Sequence, residues 1–382
     1  MQFLHISDTH LGSRRYNKES REKDVYDAFS QLMESAVREH VKGVIHTGDL
    51  FDVYKPGNRA LKFFIDKVKL LRDKGIEFIN IPGDHDTPKI KEELYPQRLL
   101  WESLGLIKVL MGDQDPKFYE MVEDGLSLRI YGVRHMNTSL KDKLIFTLNS
   151  LKPEGDRNVL MIHQGIRDIL PYQGAWQLEI GSLPKDFQYY ACGHIHTRVI
   201  QDLPGGGKLV ISGSPEIIRE DEIEGWKKYG KGGFLIDLSK KEPTVQSINV
   251  DVRPQEVITL NVNDIDNELV KLRQSYSGLK KEPILHIVLE GDSIKRDYAM
   301  KKISKSLSGL VDFYRIYKDN TVSVGSNQVK VDERSTITDL IRSYLKSQSY
   351  SDSEVELILD AIDKYDSDEA ESILRKFAEM GR

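Results

Sequence analysis

The sequence predicts an α/β protein of two packed sheets flanked by helices, followed by a small α+β module and a helical tail. Three observations lead there: strand and helix patterns alternate through the first hundred residues, closely spaced short strands follow, and helical periodicity runs from about residue 336 onward. At 382 residues the chain is too long for a single core, so two or three domains are expected. With 39% hydrophobic and 30% charged residues it belongs with globular rather than disordered chains.

Taken in order, FLHIS (residues 3–7) is a strand, residues 21–39 an amphipathic helix, GVIHTG a strand, and residues 58–72 a second helix. EFINIPG and a helical stretch over residues 94–104 complete the alternation, which calls for a largely parallel sheet. LRIYGV, NVLMIHQG, FQYYACGH, KLVISGS, GFLIDL and TVQSINVD then read as short strands cut by Gly, Pro or Asp, and a second sheet packed on the first accommodates them. VDVRPQEVITLNV (residues 250–262) is a passage between domains, because Pro254 limits continuation of a helix or central strand. Beyond it come strand, helix, strand (ILHIVL), helix (residues 296–307) and strand (VDFYRIY). Helices at ITDLIRSYLK, residues 351–362 and residues 366–377 close the chain, and their apolar faces need each other or a partner. The expected domains are therefore residues 1–250, 251–332 and 333–382.

Several function classes fall away. No apolar run approaches the roughly 18 residues needed to span a bilayer, and MQFLHISDTH places Asp8 and His10 where a signal peptide would be apolar. A cytoplasmic protein without a membrane partner is expected. One cysteine, Cys192, cannot make a thiolate zinc site, so any metal must use His, carboxylate or amide ligands. The net charge of -5 excludes a global basic field, yet residues 280–319 carry nine basic against six acidic side chains, whereas residues 332–382 carry seven against thirteen.

Five motifs stand at ends of predicted strands: DTH (Asp8, His10), GDLFD (Asp49, Asp52), GDHD (Asp84, His85, Asp86), HQG (His163) and GHIH (His194, His196). Any one alone would be an ordinary solvated turn. Together they hold five of the ten histidines beside carboxylates, at the strand ends where α/β folds place ligands. Mixed imidazole and carboxylate donors suit Mn, Fe or Zn. Seven candidate ligands exceed the need of one ion, and a carboxylate such as Asp49 can bridge two ions about 3.5–4 Å apart. Such a pair points to phosphoester hydrolysis.

In this order, HISDTHLG, HTGDLFD, GDHD, HQG and YYACGHIH resemble the calcineurin-like metallophosphoesterases, and most closely the archaeal Mre-type DNA double-strand-break repair nucleases. The motif match covers residues 1–250. The later parts agree in arrangement, implying a two-sheet metallophosphoesterase sandwich, a DNA-contacting cap and a helical segment that binds a coiled-coil, SMC-like Rad-type repair ATPase. The resemblance implies two Mn2+ per chain, with Asp8, His10, Asp49 and His196 on one ion. Asp49 then bridges, and Asp84, His163 and His194 complete the second ion. It makes His85 the group that stabilises the transition state or protonates the departing sugar oxygen, with Asp52 orienting it. It also implies 3′-to-5′ exonuclease and single-strand endonuclease activity at DNA breaks in the nucleoid, and a homodimer through a seam of Leu61, Phe64, Leu99, Leu100 and Trp101.

The sequence departs from the family at one position: Asp84 stands where its GNH motif has asparagine. A carboxylate is acceptor-only when ionised, which leaves open a weakly active scaffold; independently of that position, the motifs of the first 250 residues alone could serve a small-molecule phosphodiesterase or phosphatase. His5 and His46 read as sheet-packing residues, His40, His135 and His286 carry no motif, and Cys192 reads as a small buried hydrophobe. Arg14 and Arg15, with Lys301, Lys302 and Lys305, are the candidate contacts to a nucleic-acid backbone.

Overall fold

The structure is a computed structural model that describes residues 1–88, 95–170, 172, 174–204, 206–322, 337–347 and 350–363. Its first four strands are β1 (Gln2–Ile6), β2 (Gly43–His46), β3 (Glu77–Asn80) and β4 (Lys108–Val109). Next come β5 (Phe118–Glu123), β6 (Leu126–Val133), β7 (Arg157–His163) and β8 (Tyr189–Gly193). β9 (Val199–Asp202), β10 (Lys208–Ile211), β11 (Gly232–Asp237) and β12 (Thr244–Asn249) complete two six-stranded sheets. The first has the order β12-β11-β1-β2-β3-β4, with β1 to β4 parallel and β11 antiparallel to β1. The second has the order β5-β6-β7-β8-β10-β9, with β6, β7, β8 and β10 parallel.

Alternation along each strand explains the layering. Phe3, Ile45, Ile79, Val159, Met161 and Tyr189 turn inward and form the core between the sheets. Leu4, Ile6 and Val44 turn outward onto α1 (Glu19–Arg38) and α2 (Asn58–Asp73). Leu160, Ile162 and Cys192 face the opposite outer layer with Leu144 and Leu148 of the helix Lys141–Asn149. Strands covered on both faces are largely apolar, and the polar exceptions His5, His46 and Asn80 are buried. The apolar seam expected of a dimer is not available as written: Phe64 and Leu100 are fully buried beneath the first sheet, and Leu61 and Trp101 pack on that core. Of the five residues only Leu99 is exposed, because the apolar face of α2 is used within the chain.

β13 (Gln255–Asn261), β14 (Ile284–Asp292) and β15 (Phe313–Val322) form a third, parallel sheet, packed on the helices Ile265–Tyr276 and Arg296–Leu307. It is bolted to the first part of the chain. Arg253 pairs with Asp24, Ser20 donates to Asp312, Tyr16 stacks on Phe313 at 4.6 Å, and Arg315 reaches Glu220 at 2.9 Å. Helices Ile337–Ser347 and Asp352–Asp363 contact each other, with Arg342 paired to Glu356 and Val355 buried. The predicted helix over residues 366–377 lies outside the described residues. Among the described residues no helix is long and apolar enough to cross a membrane.

Candidate metal centre

All five motifs emerge at the C-terminal ends of parallel strands, on the same edge of both sheets: after β1, β2 and β3 of the first, and at the ends of β7 and β8 of the second. The loops after β1 and β2 are zipped together, Asp8 N–H donating to Gly48 O, His10 N–H to Asp49 O and Leu11 N–H to Leu50 O. Asp86 ties in the third loop by accepting from the N–H groups of Leu50, Phe51 and Gly83. Burial, with Asp49 adding to it, pushes the Asp86 carboxyl up to about 6. Asp8, His10, Asp49 and His194 have φ of 51°, 44°, 54° and 80°, a left-handed backbone that is uncommon for non-glycine residues. Gly48 and Gly83 permit the closest approaches: a Cβ on Gly48 would lie 2.2 Å from His163 Nδ1, and one on Gly83 2.1 Å from Asp49 Oδ1.

The side chains converge in two groups that share Asp49. In one, His196 Nε2 lies 3.6 Å from Asp8 Oδ1 and 3.2 Å from His10 Nε2, and Asp49 Oδ2 is 3.8 Å from His10 Nε2. In the other, Asp84 Oδ1 is 3.0 Å from both His163 Nε2 and His194 Nδ1, and Asp49 Oδ2 is 3.5 Å from His163 Nε2. His163 Nδ1 donates to Thr47 O at 2.7 Å and His196 Nδ1 donates to Glu222 Oε1 at 2.7 Å. His10 Nδ1 faces Asp52 Oδ1 at 3.4 Å. In His163 and His196, Nδ1 thus carries the proton toward a protein acceptor and leaves Nε2 turned to the carboxylates, whereas His194 turns its Nδ1 to Asp84. That is the arrangement metal-ligating histidines have, and a donor set of buried imidazoles and carboxylates fits divalent ions of the Mn, Fe or Zn type.

Electrostatics agree. Burial opposes the Asp49 anion, but His163 outweighs it and holds the carboxyl far below its usual range. Burial would lower His163, yet Asp49, Asp84 and Asp8 together raise its pKa well above 6.5. A cation and a proton would compete for that nitrogen, so a metal bound there would release protons.

His85 stands above this centre. Its backbone N–H donates to Asp49 Oδ1 at 2.9 Å, its Nδ1 donates to the Asp52 carbonyl at 2.7 Å, and its exposed ring meets that of His10 edge-on at 4.7 Å. The expectation for Asp52 needs correction: its backbone carbonyl orients His85, while its carboxylate is turned to His10. Arg15 lines the cleft with Asp49, Asp84, His85 and Arg219, and Arg14 is exposed on the same loop. Lys301, Lys302 and Lys305 do not line it, and Lys302 is engaged with Asp266 at 2.9 Å.

Two residues without a motif join the site. His135 follows β6, donates from Nδ1 to His163 O at 3.0 Å, and stacks on His194 with centroids 5.7 Å apart; burial lowers its pKa to about 4. It too is a histidine just past a strand end, and the strand-end rule extended to GVRHM would have found it. Glu222 has no such signal. His5 and His46 are buried in the sheet, bonded to Tyr189, Thr47, Thr9 and Asn80. Cys192 is fully buried.

Residues 1–198 match the family model of the calcineurin-like phosphoesterases. Three relatives match across almost their whole length, each carrying the name DNA double-strand break repair protein Mre11. The chain is 47% identical to that of Sulfurisphaera tokodaii over 99% of this chain and 96% of the relative. It is 48% identical to that of Sulfolobus acidocaldarius over 99% of both. It is 45% identical to that of Saccharolobus solfataricus over 98% of both. The chain therefore belongs to the calcineurin-like phosphoesterases and, within them, to the Mre11 family of DNA double-strand break repair proteins.

Proposed function

We propose that the chain is a DNA nuclease of double-strand-break repair that hydrolyses phosphodiester bonds with two divalent ions, manganese by preference. The observation that carries this is the convergence of seven imidazole and carboxylate side chains from five loops on one cleft, in a chain of the Mre11 family. Asp8, His10, Asp49 and His196 would hold one ion, and Asp49, Asp84, His163 and His194 the other. Two such ions supply an activated water and neutralise charge developing on the phosphoryl group. His85, its Nδ1–H committed to the Asp52 carbonyl, carries at Nε2 the proton for the departing sugar oxygen. Arg15, on the cleft wall, and Arg14 contact the phosphate backbone as positioning charges.

The reading includes 3′-to-5′ exonuclease and single-strand endonuclease action at breaks in the nucleoid. Residues 1–250 form the nuclease domain, 251–332 a DNA-contacting cap, and 333–382 the segment that binds an SMC-like Rad-type ATPase. Because Lys302 is held by Asp266, Lys301 and Lys305 are the cap lysines assigned to phosphate. Homodimerisation stays within the proposal, with Leu99 the member of the expected seam open to a partner. The test is cleavage of linear duplex and single-stranded DNA with manganese, beside a p-nitrophenyl phosphodiester. Metal-dependent DNA cleavage is expected; turnover of the small ester alone would mark a small-molecule phosphodiesterase. A weakly active scaffold is the second reading, favoured by the carboxylate at Asp84.

A further inference from the structure

The 3-10 turn Glu220–Glu222 and the helix Ile223–Tyr229 that follows it contain none of the five motifs, yet the turn delivers a carboxylate to the back of the metal centre. Glu222 is 4% exposed. Its Oε1 accepts from His196 Nδ1 at 2.7 Å and from Arg219 N–H at 2.9 Å. Its Oε2 accepts from Ser214 Oγ at 2.9 Å, Ile218 N–H at 3.3 Å and Lys231 Nζ. Lys231 is 2% exposed. It reaches beyond the carboxylate and donates to the backbone carbonyl of His196 at 3.0 Å and to Ser214 Oγ at 2.7 Å.

A buried Lys–Glu pair is a costly way to fill space. Well-packed apolar residues of the same volume are often as stable or more so, because both ions must leave water. Here the pair does something apolar residues cannot do. Glu222 grips the ring of His196 and Lys231 its carbonyl, so side chain and backbone of one residue are fixed from the same buried point. The acceptor at Nδ1 selects the tautomer that keeps Nε2 unprotonated, and Nε2 is the atom that faces Asp8 and His10. The lysine also cancels the charge of Glu222, so the hydrogen bond is made without adding a net negative charge behind a centre already holding Asp8, Asp49 and Asp84.

We propose that Glu222, with Lys231 as its counter-ion, is a positioning residue for the reaction: it sets the tautomer and orientation in which His196 presents Nε2 to the first metal ion. This rests on the two-metal reading above. A carboxylate bonded to the distal nitrogen of a ligating histidine commonly changes metal affinity by roughly 10–100-fold.

The test uses the full chain and manganese alone, so that it does not depend on cleavage. Glu222→Leu with Lys231→Met removes the pair and keeps the site filled. By calorimetry, one of two manganese sites should weaken by roughly 10–100-fold while the other is unchanged. Glu222→Gln with Lys231→Met restores an amide oxygen that can accept from Nδ1 and should recover most of the affinity. A purely structural role predicts wild-type affinity in both variants once circular dichroism shows them folded, and that result overturns the proposal. Should the Leu/Met variant fail to fold, 15N spectra of histidine-labelled wild type still decide: His196 must carry its proton on Nδ1, and an Nε2–H tautomer overturns it. A wild-type chain that binds fewer than two manganese ions would instead refute the two-metal reading itself.

Discussion

Replacing Asp84 by asparagine removes one negative charge and leaves the outline of the side chain unchanged. Asp84 Oδ1 lies 3.0 Å from His163 Nε2 and 3.0 Å from His194 Nδ1; an amide oxygen can occupy the same place while the amide nitrogen becomes a donor. Burial opposes the anion, but the two imidazoles outweigh it and hold the carboxyl far below the usual carboxylate range, so the group is charged at every working pH. A phosphodiester about 4 Å from that charge, at an effective dielectric of about 20, is repelled by ~4 kcal/mol. The Asp84 side chain is 36% exposed, and solvent screening reduces the penalty to ~1–2 kcal/mol. The asparagine form should therefore cleave roughly 5–30-fold faster, with metal affinity unchanged or lower. The assay is single-turnover cleavage of a short DNA with saturating manganese, beside calorimetry of metal binding. Equal or faster cleavage by the Asp84 chain would show that its carboxylate serves the second ion fully and that repulsion of the substrate is not felt.

Gly83→Ala should lower both melting temperature and metal affinity, because its Cβ would fall 2.1 Å from Asp49 Oδ1 and 2.4 Å from Asp49 N, an overpacking cost of ~1–3 kcal/mol; wild-type values for both would contradict the close approach. His85→Ala should retain two manganese ions yet lose roughly 10²–10⁴-fold in hydrolysis, and loss of an ion in calorimetry would make His85 a ligand instead. His286 links β14 to β15 and is fully buried, receiving a hydrogen bond from Arg315 Nε at its Nδ1. Burial first, and Arg315 second, lower its pKa from 6.5 to about 4. The folded state thus favours neutral His286; its contribution is fully present above pH 6.5 and is lost as pH falls toward 4. Between pH 7 and pH 5 denaturant unfolding should lose about 2 kcal/mol through this residue, and His286→Gln should show a correspondingly smaller loss; identical pH dependence in both chains refutes the assignment.

The strands bearing the motifs were legible because each is a short, largely apolar run with a Gly or Asp at its end or within three residues of it, and the helix Arg296–Leu307 because its apolar spacing is regular. The helix Lys141–Asn149 escaped, since Ile145, Phe146 and Thr147 disfavour helix locally and Phe146 is 75% exposed, which blurs the 3.6-residue pattern. β5 escaped although Asp124-Gly125, with φ of 53° and 79°, is the turn pair of a tight hairpin. At the site, residue types at strand ends were readable while atoms were not: Asp52 turned out to orient His85 with its carbonyl. Glu222 lies 26 residues from His196, and no local pattern announces a contact made only by packing. Phe64 and Leu100 show the same limit, because an apolar helix face looks alike whether it meets its own sheet or a second chain.

The left-handed backbone at Asp8, His10, Asp49 and His194 sets this centre against the endurance of the fold that holds it. Each of the four conformations costs a non-glycine residue ~1–2 kcal/mol, and glycine would occupy any of them without that cost. A screen that rewarded heat resistance alone would therefore find its easiest gains in the residues that face the cleft, and would return a hardier chain with an emptied centre. Engineering of this protein for durability has to hold those four positions constant and look for its gains on the far side of the sheets.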